Sequence, residues 1–185
     1  MGGGTSSYQE IEETDCVLLW GSNARETHPI FFHHLLKGIR RGASLITIDP
    51  RRTSSAQWAN VWAGLDVGSD IALANTVARE IIQAGLAHTE FIAEATSGFE
   101  EYCRSVQSWT LERGESETGV PAAVIRQIAH AYATAPAAAR ASCVAQGGNC
   151  NSPRLLTCVD HRRARSVGRG RRRHGPRRHH LRESI

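Results

Sequence analysis

Two short apolar runs, separated by one amphipathic stretch, constrain the fold of this 185-residue chain more than any other feature. Residues 16–20 are all apolar and are followed at once by Gly21, while residues 45–48 run directly into Asp49. Continuous runs of this kind are typical of strands buried on both faces, as in a parallel sheet. Residues 30–41 have the spacing of a helix that ends near Gly42. The pattern predicts a βαβ unit with a right-handed crossover.

The rest of the first three quarters of the chain reads mainly as helix. Residues 61–64 indicate a weaker third strand, and a helix is predicted from Ser69 or Asp70, either of which would cap it, to Gly85. Further helices are predicted at about 88–95, 98–109 and 121–135. We therefore predict an α/β fold, an open, Rossmann-like, doubly wound and mostly parallel sheet.

Charge divides the chain into two unlike parts. Residues 1–139 hold 10 basic and 16 acidic residues, a net charge of −6, whereas residues 140–185 hold 12 arginines against two acids, a net charge of +10. Helical periodicity also stops near Pro136. We predict a folded domain over 1–136 and an Arg-rich tail over 137–185 that is disordered, because little in it can bury enough apolar area to offset ordering entropy.

The basic tail allows three interpretations. In the first, the tail is a selected arm that binds nucleic acid non-specifically through the phosphate backbone. In the second, Cys150, Cys158 and His161 form a metal site, although that spacing fits no common zinc pattern. In the third, the tail is the product of a frameshift, since out-of-frame reading of a GC-rich gene yields arginine without lysine. We favour the frameshift.

The location of the protein is predicted from what the sequence lacks. No apolar run approaches the roughly 18 residues of a membrane span, and the first residues do not resemble a signal peptide. Five scattered cysteines suit a reducing compartment better than a disulfide framework. The expected location is cytoplasmic, without a membrane partner.

Candidate binding residues lie in three polar loops that follow the predicted strands, at 21–29, 49–53 and 68–70. Ligands of doubly wound sheets bind beyond the carboxyl ends of the strands. Asp49 lies 28 residues after Gly21, roughly where an acidic residue takes ribose hydroxyls in dinucleotide sites. Each loop alone also reads as an ordinary turn or helix cap. There is no G-x-G-x-x-G motif and no Walker A lysine, so plain NAD or ATP binding is not supported. The three loops together nevertheless indicate a nucleotide-like ligand.

Several motifs then resemble one family. The segment EIEETDCVLLWGSN at 10–23 is followed by Glu26 and by His28-Pro29, and IDPRRT at 48–53 and GSD at 68–70 come in the same order and spacing. TGVP at 118–121 is a further match. Over about residues 2–136 the chain resembles the molybdopterin oxidoreductases, in particular the catalytic subunits of formate dehydrogenases.

The resemblance implies a ligand and its contacts. One half of a bis(molybdopterin guanine dinucleotide) cofactor carrying molybdenum would lie against the three loops. Its phosphate and ribose portion would approach the first loop, and its guanosine portion the other two. The cofactor-binding residues implied are Gly21, Ser22, Asn23, Glu26, Asp49, Arg51, Gly68 and Asp70. His28 packs the turn or contacts the ligand, and Thr5 and Ser6 would lie near the pterin.

The resemblance also implies what this chain does not carry. Relatives begin with a cysteine motif for a 4Fe–4S cluster, which is absent here, and the cysteine or selenocysteine that binds molybdenum would precede Met1. The chain is therefore interpreted as a fragment of an enzyme that oxidises formate to CO2 by two-electron transfer, inactive by itself and without catalytic or metal-binding residues. Alternatives are a fragment of a nitrate reductase, a non-catalytic nucleic-acid-binding protein and a cofactor chaperone.

Overall fold

A parallel four-stranded sheet forms the centre of the described structure. The computed structural model describes residues 8–142, with side chains described up to residue 138. The strands are β1 (Cys16–Trp20), β2 (Ser44–Ile48), β3 (Val61–Ala63) and β4 (Ala138–Ser142), in the order β3-β2-β1-β4. All three neighbouring pairs are parallel. The predicted doubly wound parallel sheet is confirmed, because the chain moves outward from β1 on one side and returns to its other side.

Eight α-helices connect and cover the strands within the described part. The helices longer than ten residues are α3 (Pro29–Arg40), α4 (Asp70–Gln83) and α8 (Ala122–Thr134). The shorter ones are α1 (Tyr8–Glu12), α2 (Ala24–Thr27), α5 (Thr89–Ala95), α6 (Phe99–Val106) and α7 (Leu111–Thr118). A single 3-10 turn covers Ala56–Trp58. None of these helices combines the length and apolar composition needed to cross a bilayer.

The central strand β1 is buried along its whole length because apolar layers cover both faces of the sheet. On one face Val17 and Leu19 pack with Phe32 and Leu35 of α3. On the other face Leu18 and the remaining strand residues pack with α4, α7 and α8. Full burial of one such side chain contributes roughly 1.5–3 kcal/mol, so this two-faced core explains why the strand sequence is continuously apolar.

Most predicted elements are confirmed, with boundaries close to those expected. The βαβ unit, the short third strand and the helices at 70–83, 89–95 and 122–134 are present. The helix expected at about 98–109 is also present, although it ends earlier, at Val106. Helices α1, α2 and α7 and strand β4 were not predicted.

Strand β4 changes the predicted domain boundary. Its residues pair in register with all five residues of β1, from Cys16 opposite Ala138 to Trp20 opposite Ser142. The boundary after residue 136 is therefore too early, because the sheet continues to residue 142. The sequence AARAS carries no apolar alternation, so nothing in it marks a strand. The tail interpretations, including the Cys150, Cys158 and His161 metal site, fall outside the described residues, as do Thr5 and Ser6.

The amino-terminal edge of the sheet is braced by one residue, Asp15. Its backbone N–H donates to Ala137 O at 2.9 Å, and its backbone O accepts from Ser44 N at 2.8 Å. Its carboxylate accepts from Ala137 N at 3.1 Å. Asp15 thereby joins the starts of β1, β2 and β4. The loops that follow β1, β2 and β3 lie at the opposite, carboxyl edge of the sheet.

Candidate functional site

The topology places the three candidate loops at one edge of the sheet. Strand order reverses between β1 and β4, since β2 and β3 lie on one side of β1 and β4 lies on the other. In open α/β sheets the ligand crevice lies beyond the carboxyl ends of the strands, at such a reversal. The first loop leaves β1 at this point, and the loops after β2 and β3 lie at the neighbouring strand ends. This edge is the candidate site.

The first loop turns sharply at Gly21. Its φ of 58° lies in the left-handed region, which costs glycine less than any residue with a side chain. The Gly21 N–H donates to Ile48 O at 2.8 Å, so the turn is attached to the end of β2. Ser22 is buried. The four-residue helix α2 lies within this loop and was not predicted, while the long helix expected after the loop is present as α3 and begins at Pro29.

Asn23 and Glu26 connect the first loop to the second through two serines. Both serine hydroxyls, of Ser54 and Ser55, lie 3.1 Å from Asn23 Oδ1, and the Ser54 hydroxyl also lies 2.8 Å from Glu26 Oε1. Ser55 is fully buried, and its hydroxyl accepts from the Arg25 N–H at 2.9 Å. Hydrogen bonds made by buried groups are costly to remove, so the two loops are held as one unit.

Hydrogen bonds around this unit favour an ionised Glu26. Those from Ser54 and Asn23 have the largest effects and lower the pKa of Glu26; desolvation opposes them, and the positive charges of Arg51 and Arg25 each make a smaller contribution that lowers it. Arg25, Arg51 and Glu26 are exposed. The first and second loops therefore present hydrogen-bond acceptors beside guanidinium groups at the carboxyl edge.

Asp49 organises the second loop from a nearly buried position. Its Oδ1 accepts from the Arg51 N–H at 2.8 Å, which closes a tight turn. Its own N–H donates to Ala63 O at 3.1 Å, and its backbone O accepts from Trp62 Nε1 at 3.1 Å. The Arg52 guanidinium lies 5.8 Å from the centre of the Trp62 ring. A cation at that distance is attracted to the ring face, so this aromatic residue fixes the loop between β2 and β3.

The third loop brings Asp70 to the end of β1. Gly68 has a φ of 90°, and no atom lies within 4 Å of the position that a Cβ would take. The Ser69 hydroxyl donates to Asp66 O at 2.7 Å, so Ser69 occupies the N-cap position of α4 without capping it through its side chain. Asp70 is the first helical residue, and its Oδ1 accepts from Trp20 Nε1 at 2.7 Å.

The predicted site residues thus occupy one edge, but they do not all contact each other. Asn23 and Glu26 share Ser54, and Asp49 contacts Arg51, while Gly21 joins the first two strand ends. His28 lies with its Nδ1 2.8 Å from the Thr27 hydroxyl. Four residues that complete these contacts were not predicted: Trp20, Ser54, Ser55 and Trp62. No local sequence pattern marks these four residues as part of the site, because each donates a hydrogen bond to a residue that is distant in the chain.

The groups at this edge are suited to recognising a ligand. Within the part of the chain that the structure describes, no three His, Cys, Asp or Glu side chains are grouped so as to hold a metal ion. What the edge offers is carboxylate acceptors, backbone amides at tight turns and arginines. These groups suit a ligand that carries both phosphate and polar N–H or O–H groups.

Comparison with known proteins decides the family. The family model described as "Molybdopterin oxidoreductase" matches residues 3–174. The chain belongs to the molybdopterin oxidoreductase family. That match runs past residue 136, where the resemblance was expected to end.

Individual members of the molybdopterin oxidoreductases are similar over the same region. Formate dehydrogenase H of Escherichia coli (strain K12) is 41% identical over 135 residues, which are 73% of this chain and 19% of that protein. A nitrate reductase of Synechocystis sp. is 32% identical over 69% of this chain and 18% of its own length. The solved structure of acetylene hydratase from Pelobacter acetylenicus superposes with a TM-score of 0.63 at 30% identity, over 72% of this chain and 20% of that one. The chain therefore spans about a fifth of the relatives it matches.

Proposed function

We propose that this chain supplies one part of a binding site for molybdopterin guanine dinucleotide in an oxidoreductase of the formate dehydrogenase type. The observation that carries the proposal is the linkage of three loops at the carboxyl edge, through Ser54, Trp62 and Trp20. A rigid edge of this kind costs a ligand little ordering entropy. Family membership supports a molybdopterin ligand, and the loops support its dinucleotide form.

The described residues fit the nucleotide end of such a cofactor. Arg25 and Arg51 are exposed and available to phosphate oxygens, and the turn at Gly21 presents backbone rather than a side chain. Open space around Gly68 leaves room for a close approach by the ligand. Asp49 and Asp70 supply acceptors for ribose hydroxyls and base N–H groups. When bound, the molybdenum cofactor supplies the two-electron chemistry, and the protein supplies binding and orientation.

Formate is the proposed substrate of the complete enzyme. The formate dehydrogenase of E. coli is 41% identical, against 32% for the nitrate reductase. Acetylene hydratase, a relative of this chain, is named for a hydration, so the family alone does not determine the reaction. The preference for formate rests on sequence similarity.

The isolated chain is proposed to bind nucleotide without catalysing formate oxidation. It spans 19% of the E. coli relative, so it offers only a share of the contacts that surround the cofactor in a complete enzyme. We expect no formate-dependent reduction of a viologen dye by the purified chain, even after reconstitution with cofactor. Dye reduction above the rate of a cofactor-only control would contradict this.

Calorimetric titration of the purified chain with GDP tests the binding proposal directly. We expect saturable binding that weakens by about tenfold in Asp49→Asn, since a charge-assisted hydrogen bond contributes roughly 1.5–3 kcal/mol. The matched control is Glu117→Gln, an exposed carboxylate on α7 that pairs with Arg113. If GDP does not bind, or if both variants weaken binding equally, the carboxyl edge is not a nucleotide site.

The competing hypothesis of nucleic-acid binding is an outcome of a second titration. A duplex DNA of random sequence is added to the full chain and to a version that ends at residue 142, so that strand β4 is retained. We expect any binding by the full chain to fall steeply with salt. Salt-dependent binding by the full chain that is lost in the version ending at residue 142 would support the alternative, because that hypothesis assigns the binding to the Arg-rich tail.

A further inference from the structure

A buried tryptophan holds one carboxylate of the proposed site. Trp20 is the last residue of β1 and is 4% exposed. Its indole N–H lies 2.7 Å from Asp70 Oδ1, across 50 residues of sequence. A hydrogen bond with an ionised acceptor at this distance is among the stronger ones in proteins. The pair is therefore a fixed feature of the site.

The bond also decides where Asp70 lies in the fold. Asp70 begins α4, which follows β3 at the edge of the sheet, two strands away from β1. Its partner Trp20 lies opposite Ile48, the residue before Asp49. The indole thus holds the first turn of α4 over the end of the central strand, beside the strand-order reversal. Asp70 therefore lies at the crevice beside the end of β1, and not beside the outer strand β3.

The orientation of the carboxylate follows from the same contacts. Ser69, the neighbouring hydroxyl, donates to Asp66 O and not to Asp70. No other side-chain donor to Asp70 is present among the described residues. With Oδ1 occupied by the indole, Oδ2 and the remaining lone pair of Oδ1 are available to a ligand. A carboxylate held in this way presents two acceptors in one plane.

We propose that Trp20 is a positioning residue that sets the base specificity of the site, an inference that rests on the proposed function. Guanine presents two adjacent donors, N1–H and the 2-amino group, which match the two acceptors of an oriented carboxylate. Adenine presents an acceptor at N1 and is repelled by the same group. Trp20 keeps Asp70 in the orientation that distinguishes them. Without the indole N–H the carboxylate rotates, and the two acceptors no longer face the base together.

Trp20→Phe tests the proposal because it removes the N–H and keeps most of the apolar bulk. Calorimetric Kd values are measured for GDP, for IDP, which lacks the 2-amino group, and for ADP. In the wild type we expect the order of affinity to be GDP, IDP, ADP. In Trp20→Phe the Kd for GDP rises about tenfold, as for loss of one charge-assisted hydrogen bond, while the Kd for ADP is unchanged. Trp58→Phe, at an exposed tryptophan, leaves all three constants unchanged.

The outcomes separate this inference from the proposed function. Absence of GDP binding in the wild type overturns the proposed function and the inference with it. Wild-type binding with an unaltered GDP-to-ADP ratio in a folded Trp20→Phe overturns the inference alone. Where that variant does not fold, the wild type labelled with 15N-tryptophan provides the measurement. The Trp20 indole N–H resonance shifts on addition of GDP and not of ADP, and equal shifts with both would overturn the inference.

Discussion

Replacing Gly114 with alanine tests how tightly α7 packs against α4. A Cβ at residue 114 would lie 2.5 Å from Thr76 Cγ2, 2.6 Å from its Oγ1 and 2.9 Å from its Cβ. Thr76 is 1% exposed, and its hydroxyl is already bonded to Ala72 O at 2.8 Å. Rotation of Thr76 away from the new methyl group would break that bond, so the helices must move apart instead.

Two effects of opposite sign determine the magnitude. Alanine is favoured over glycine by about 1 kcal/mol in a helix interior, whereas overpacking of a buried contact costs about 1–3 kcal/mol. Because the nearest atoms include Cβ, which is fixed to the α4 backbone, the cost is expected near the top of that range. We expect Gly114→Ala to lower the free energy of unfolding by about 1–2 kcal/mol.

Urea denaturation followed by far-ultraviolet circular dichroism measures this change. Thr76→Ala removes two of the three crowding atoms, so the loss caused by Gly114→Ala should be smaller in that background, as a double-mutant cycle reveals. Ser116→Ala on the exposed side of α7 is the control and should stay within about 0.5 kcal/mol of the wild type. A Gly114→Ala protein that is more stable than the wild type would refute the reasoning, since helix propensity would then outweigh the contact.

Three further predictions concern ionisation and the loops. Hydrogen bonds from Lys37 and His34 lower the pKa of Glu12 from its ordinary 4.5. The stability that these bonds provide is therefore present above pH 4.5 and is lost as the pH falls below it. Glu12→Gln should flatten the decline of the thermal midpoint between about pH 5 and pH 3. Burial raises the pKa of Tyr102 to about 12, so its contribution to stability is lost as the pH rises from 10 towards 12, and Tyr102→Phe should remove one late step in absorbance at 295 nm. Ser55→Ala should destabilise the chain by about 1–3 kcal/mol in urea denaturation and weaken GDP binding, because it removes two hydrogen bonds, with the Arg25 N–H and with Asn23 Oδ1, of roughly 0.5–1.5 kcal/mol each. Unchanged values for both would show that the first two loops are independent.

The strands and helices that could be predicted from the sequence are those whose burial is visible in their own residue types. Strand β1 is continuously apolar, and β2 is apolar except for Ser44 and the buried Thr47, because both faces of the sheet are covered, and that burial is visible in the sequence. Strand β4 was missed because AARAS owes its place to backbone pairing with β1. Helix α7 was missed because only three of its eight residues are buried, so its sequence has little apolar periodicity. The available signal was Thr110, whose hydroxyl accepts from the Arg113 N–H as an N-cap.

The loops of the candidate site could be located from sequence, but their connections could not. Loop position follows from strand ends, which local patterns reveal. The contact between Trp20 and Asp70 depends on how α4 crosses the sheet, and the contact between Asn23 and Ser55 depends on the pairing of β1 with β2. Such pairs contain ordinary residue types, and only the three-dimensional arrangement brings a donor to its acceptor.

The hydrogen bonds of Asp15 indicate the order in which the strands assemble during folding. Its bond with Ser44 spans 29 residues, whereas its bond with Ala137 spans 122. Contacts between distant residues form slowly because the intervening chain must lose entropy first. The β1-β2 unit is therefore expected to assemble early, with docking of β4 as the late step. Until then one side of the central strand is exposed to unintended pairing with other chains.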